Sequence, residues 1–207
     1  MKPELFVFDF DGTLADSRQL FFDLYNELAL RKGYAMLTDS NLSELRSMSI
    51  TERCRTMHIP LYQIPFIASA IIKQYNGNIN RIPLYPGVRE MFAELDAMQI
   101  PYAILSSNSN ENIAAFFEHQ RLNVPEIYTS SRIFGKDKAI LKVLNAKKLN
   151  ASQVLYVGDE LRDLEACHRA GVKMAWVHWG YDSREALGGL IPDFEPGHPM
   201  DIPRLAH

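Results

Sequence analysis

The sequence is poor in cysteine, has no excess of positive charge and contains no long apolar run. Cys54 and Cys167 are the only cysteines in 207 residues. They lie far apart without metal-ligand spacing, which excludes a disulfide scaffold or a cysteine zinc site and predicts reduced thiols packed on helices of a cytoplasmic protein. A formal net charge of −3 excludes the basic footprint expected of a nucleic-acid-binding surface. No apolar stretch approaches the length of a bilayer span, so no membrane partner is expected. Met1-Lys2-Pro3-Glu4 runs straight into the first apolar segment and leaves no room for a secretory leader. Repeats and low-complexity tracts are absent too. What remains, 47% hydrophobic and 23% charged, suits one full core and a small accessory unit.

The first informative stretch is Leu5-Phe6-Val7-Phe8, followed at once by Asp9-Phe10-Asp11-Gly12-Thr13-Leu14. An apolar run without polar alternation predicts a strand covered on both faces. Gly12 permits the bend that takes the chain out of the sheet. Residues i and i+2 of an extended segment point the same way, so Asp9 and Asp11 should project together from the strand's C-terminal end, the edge at which open α/β sheets bind ligands. Two like charges that close require a cation or a shared proton.

Further along, Asp16 or Ser17 can cap a helix that carries Leu20, Leu24 and Leu28 on one face and stops at Gly33. Residues 38–75 read as short helices with no strand. Their apolar residues Ile64, Phe66, Ile67, Ile71 and Ile72 are expected in a local core or a contact surface. A helix through Val88, Met91, Phe92 and Leu95 follows, with Pro86 suited to its first turn. Strands are expected at 102–105, 127–129, 154–158 and 174–178, separated by helices at 111–119 and 136–149. Exposed amides at the start of the 111–119 helix would favour an anion. Alternating strands and helices imply a parallel sheet covered on both faces.

Three strand ends then offer complementary groups: Asp9 and Asp11, Ser106 and Ser107, and Asp159 with Asp163 one helical turn on. Lys136 and Lys138 lie between the last two in sequence. An oxygen-rich set of carboxylates suits Mg2+, a hard cation. This order of motifs resembles the haloacid dehalogenase superfamily, and the segment 157–166 with Ala170-Gly171-Val172 and Trp179-Gly180-Tyr181 is similar to its phosphoglycolate phosphatase-like members. The resemblance implies a Rossmann-like α/β core at residues 1–15 and 83–207, with a small all-helical cap, residues 16–82, inserted after the first strand. It also implies a nucleophile at Asp9, a general acid and base at Asp11, phosphate contacts from Ser107, Asn108 and Lys136, and a metal site drawn from Asp9, Asp11, Asp159 and Asp163. Lys138 competes with Lys136, and Ser106 with Ser107; Asn108 after the second serine matches the family's Thr/Ser-Asn ending.

A phosphate dianion repels a carboxylate nucleophile. The four acids and one lysine carry a net formal charge of −3, which a divalent cation and a proton on Asp11 would neutralise. The expected activity is Mg2+-dependent hydrolysis of a small-metabolite phosphomonoester through an aspartyl phosphate, phosphoglycolate being one example, by a monomer or homodimer. A phosphomutase of the β-phosphoglucomutase type is the nearest alternative, although Ser47 and Ile50 stand where that branch has Gly and Arg. A non-catalytic phosphate-binding regulator is the alternative from another class. Arg18, Arg46, Arg53 and Arg55 are unplaced basic residues within reach of a substrate carboxylate, and none receives a role.

Overall fold

Strand β1 (Leu5–Phe8) is buried throughout and lies at the centre of the sheet because its side chains feed both cores. Phe6 and Phe8 enter one core cluster, whereas Leu5 and Val7 enter the other, as the two-residue period of a strand requires. The protein is described by a computed structural model covering residues 3–130 and 135–206; Met1 and Lys2, part of the expected leaderless start, lie outside the described residues. Four further strands, β2 (Tyr102–Ser106), β3 (Glu126–Thr129), β4 (Val154–Gly158) and β5 (Lys173–Trp176), pair in the order β3-β2-β1-β4-β5, every pair parallel. Successive strands run outward from β1 on one side, then jump across it to β4. This reversal puts the topological switch between β1 and β4.

Between β1 and β2 the chain forms α1 (Arg18–Lys32), α2 (Asp39–Arg46), α3 (Ile50–Thr56), α4 (Ile64–Tyr75) and α5 (Val88–Ala97); α6 (Asn110–His119), α7 (Lys136–Lys147) and α8 (Leu161–Ala170) separate the later strands. Helices α5 and α6 contribute Phe92 and Phe116 to the cluster of Phe8, while α7 and α8 contribute Val143 and Leu164 to that of Val7. The two passages joining α1–α4 to the sheet run side by side: Ala15 bridges Leu84 in antiparallel fashion, with Asp16 N–H donating to the Pro83 carbonyl and Tyr85 N–H to that of Leu14. No helix among the described residues is long and apolar enough to cross a membrane.

Some expectations need correction. Pro86 precedes α5 instead of entering its first turn, because Gly87 with φ 92° takes the N-cap position. Strand β5 ends at Trp176, short of His178. Ser17 occupies the N-cap of α1 without a side-chain capping bond, since its hydroxyl is donated elsewhere. Ile64 and Ile71 are buried, but Phe66 is 68% exposed. Cys54 and Cys167 are buried free thiols on α3 and α8.

Candidate active site

The C-terminal ends of β1 and β4 are neighbours, Phe8 pairing with Val157, so the residues just past them meet. Asp9 follows β1 and Asp159 follows β4; Asp163 joins them from the first turn of α8. One carboxylate oxygen from each of these three buried residues lies within 4.8 Å of the other two. Glycine makes this approach possible. At Gly12 (φ +84°) a Cβ would stand 2.4 Å from Asp159 Oδ2, and at Gly158 2.7 Å from Asp163 Oδ2. The first residue of α7, Lys136, reaches the same point from the helix packed beside α8: its Nζ is 2.9 Å from Asp9 Oδ2 and 2.6 Å from Asp163 Oδ1. Lys136 is 2% exposed, whereas Lys138 faces solvent.

Each acid is also oriented by neutral donors. Asp9 Oδ1 accepts from Phe10 N–H at 2.8 Å. Asp159 accepts from the Thr13 hydroxyl on Oδ1 (2.8 Å) and from Tyr181 N–H on Oδ2 (2.6 Å). Burial pushes the Asp159 carboxyl well above the usual carboxylate range, with the charges of Glu160, Asp9 and Asp163 adding to it. Burial also raises Asp163 despite the lysine beside it. For Lys136 burial alone would lower the pKa, but Asp163 and Asp9 outweigh it and the ammonium is held above its ordinary value. Three carboxyls thus gather about one ammonium, with the Arg162 guanidinium acting on Asp163 and Asp9 as a second positive charge. An all-oxygen donor set of buried, mutually repelling carboxylates is the chemistry a hard divalent cation fits.

Asp11 stands outside that cluster of three. Its Oδ1 accepts from Ser17 Oγ (2.7 Å) and Tyr75 Oη (2.5 Å), and its Oδ2 from Asn108 Nδ2 (2.9 Å). Tyr181 Oη lies 2.8 Å from Ser17 Oγ and extends the chain of hydroxyls. Burial raises the Asp11 pKa against the opposing pull of Tyr75, Ser17 and Asn108. Asn108 is thus occupied with Asp11. Ser106 accepts from Asn108 N–H at 3.1 Å, while half-buried Ser107 makes no side-chain hydrogen bond among the described residues. Sequence reasoning did not single out Thr13, Ser17, Tyr75 and Tyr181 as part of this site. Thr13 and Tyr181 stood inside quoted motifs, but Tyr75 lies at the end of α4 and carries no local signal.

A family model described as haloacid dehalogenase-like hydrolase matches residues 6–177. The chain belongs to that family. Haloacid dehalogenase-like relatives agree along the chain: a phosphoglycolate phosphatase of Synechococcus elongatus is 30% identical over 95% of this chain and 93% of its own length. Another from Aquifex aeolicus is 24% identical over 96% and 94%. The fold is shared with a haloacid dehalogenase-like hydrolase of Streptococcus pneumoniae, with a TM-score of 0.76, 19% identity and coverage of 96% and 95%. It is shared as well with CbbY from Rhodobacter sphaeroides in complex with phosphate, with a TM-score of 0.72, 20% identity and coverage of 98% and 96%. Membership in the phosphoglycolate phosphatase-like part of this family makes the protein a phosphoric monoester hydrolase.

Proposed function

We propose that the protein hydrolyses a small-metabolite phosphomonoester by a Mg2+-dependent route through an aspartyl phosphate on Asp9, with phosphoglycolate the leading candidate substrate. The observation that carries this reading is the meeting of Asp9, Asp159 and Asp163 around Lys136 at the β1/β4 switch. The names of the relatives from Synechococcus elongatus and Aquifex aeolicus support the substrate. Asp9, Asp159 and Asp163 would hold the cation, which supplies Lewis-acid charge neutralisation for an incoming phosphate.

Asp9 is the nucleophile of this scheme. Its Oδ1 is turned by the Phe10 amide and its Oδ2 faces Lys136, so the carboxylate presents one fixed geometry to phosphorus. Lys136 offsets negative charge as the phosphoryl group transfers, and Ser107, with its hydroxyl unengaged, contributes a donor to a phosphate oxygen. Asp11 gives its proton to the leaving alkoxide and later takes one from the water that cleaves the acyl phosphate. A carboxyl raised by burial suits the first role, and its bonds to Tyr75, Ser17 and Asn108 aim it. Residues 16–82 act as a cap over residues 1–15 and 83–207, the paired passages at Ala15 and Leu84 forming its base.

The test is phosphate release from a panel of phosphomonoesters, phosphoglycolate included, in Mg2+ or in chelator, for the native chain and a folded Asp9→Asn variant. Release that needs Mg2+ and falls by about a thousand-fold or more in Asp9→Asn is expected, as for loss of a nucleophile. Release that persists unchanged in the variant would sink the assignment of Asp9.

A further inference from the structure

Two arginines from α2 and α3 cross to the sheet edge and end on the segment 180–182 that follows β5. Arg46 donates through Nε to the Tyr181 carbonyl (3.0 Å) and through Nη2 to the Gly180 carbonyl (3.1 Å). Its own carbonyl accepts from Ser183 N–H at 2.9 Å. Arg53 pairs with Asp182 Oδ1, and its Nε donates to the Leu45 carbonyl at 2.7 Å, so both sides of the guanidinium are engaged.

The same three residues bear on the acids from their other side. A Cβ at Gly180 would fall 2.1 Å from Asp159 Cβ, which leaves only glycine able to pack there. Tyr181 N–H donates to Asp159 Oδ2 (2.6 Å). Asp182 Oδ2 accepts from Leu161 N–H (2.7 Å), the first residue of α8, whose first turn holds Asp163. Asp182 is 3% exposed, and it stays buried because both of its oxygens are bonded. Every residue of the segment therefore touches α2 or α3 by one group and an acid, or the helix bearing one, by another.

We propose that Arg46 and Arg53 are positioning residues for the acidic group, acting through the segment 180–182, so that docking of α2 and α3 and divalent-cation occupancy of Asp9, Asp159 and Asp163 favour one another. The inference rests on reading those acids as the metal site. A ligating carboxylate binds best when an outer donor fixes its rotation, and loss of such a donor commonly weakens metal binding. The donor to Asp159 Oδ2 is a backbone amide, whose direction is set by what holds the peptide. Two planar guanidinium forks do so here, a geometry that a lysine ammonium does not reproduce. Linkage makes the effect reciprocal: the cation must tighten the docking of α2 and α3 by the same factor by which their docking tightens the cation.

The experiment is Mg2+ affinity of the full chain by isothermal titration calorimetry, for the native protein, Arg46→Met, Arg53→Met and Arg53→Lys. Arg81→Met serves as control, because it breaks an ion pair with Asp23 and leaves the segment 180–182 untouched. Both methionine variants are expected to bind Mg2+ about ten-fold more weakly, Arg53→Lys to recover part of the loss, and the control to match the native chain. Mg2+ is expected to slow amide hydrogen exchange in α2 and α3 of the native protein and not of Arg53→Met. Affinities within two-fold of native in folded Arg46→Met and Arg53→Met, or an equal loss in Arg81→Met, would overturn the inference while leaving the metal site standing. Absence of Mg2+ binding to the native chain would overturn the metal reading itself, and the linkage with it.

Discussion

The sheet edge and the helical insertion treat charge in opposite ways. At the edge, Asp9, Asp159, Asp163 and Lys136 are all at most 2% exposed, and the backbone puts them there: two sit directly past paired strands, two in the first turn of a helix. In the insertion, ion pairs such as Arg31 with Glu27 and Arg81 with Asp23 are solvent-exposed, and apolar Tyr62 and Phe66 are exposed by 70% and 68%. The insertion reaches the site through the long side chains of Tyr75, Arg46 and Arg53. Buried like charges need positions that cannot drift, so a parallel sheet supplies them. Hydrogen-bond donors that orient those charges can come from farther away, on long side chains that cross from the helices to the sheet edge.

If this contrast holds, the largest effect belongs to Lys136→Met. Removing the ammonium leaves Asp9 and Asp163 buried without their partner, and stability in chelator should fall by about 3–5 kcal/mol, read from urea unfolding midpoints. A next comparison sets one glycine from each region side by side. Gly180→Ala drives a methyl into Asp159 and should destabilise by about 1–3 kcal/mol as overpacking does. Gly77→Ala, with nothing within 4 Å of its Cβ, should be neutral or stabilising by less than about 1 kcal/mol. Equal losses in thermal melts of the two would break the contrast. Tyr75→Phe sharpens it from the other direction. Removal of one of the donors that aim Asp11 should lower kcat for an alkyl phosphomonoester by roughly ten-fold with the melting temperature little changed; an unaltered kcat would confine the insertion to shape alone.

How legible this was in the sequence varied with the range of the physics involved. Strands and helices followed apolar periodicity closely, because Leu5–Phe8, Val154–Gly158 and the face of Leu20 and Leu24 on α1 are local patterns with one burial solution. The acids after β1 and β4 were legible for the same reason: a polar group ending an apolar strand has only the sheet edge to occupy. Position in sequence favours Lys136 over Lys138 only modestly, since both lie in the first turn of one helix. The structure separates them by rotation about that helix, which buries the first between Asp9 and Asp163 and turns the second to solvent. Pro86 misled because a proline before a helix and one inside its first turn look alike until Gly87 adopts positive φ.

The sequence by itself determined the doubly covered parallel sheet and the acids that end β1 and β4, because both rest on short-range apolar patterns, and the order of its motifs carried the resemblance to the family. Only the tertiary structure decided that Tyr75 and Ser17 serve Asp11, that Thr13 and Tyr181 orient Asp159, and that Arg46 and Arg53 brace the segment beside them. Those partners come together from positions as far apart as 146 residues for Thr13 and Asp159. Hydrogen bonds act over about 3 Å, and spacing in sequence carries no record of which distant side chains folding will bring within that reach.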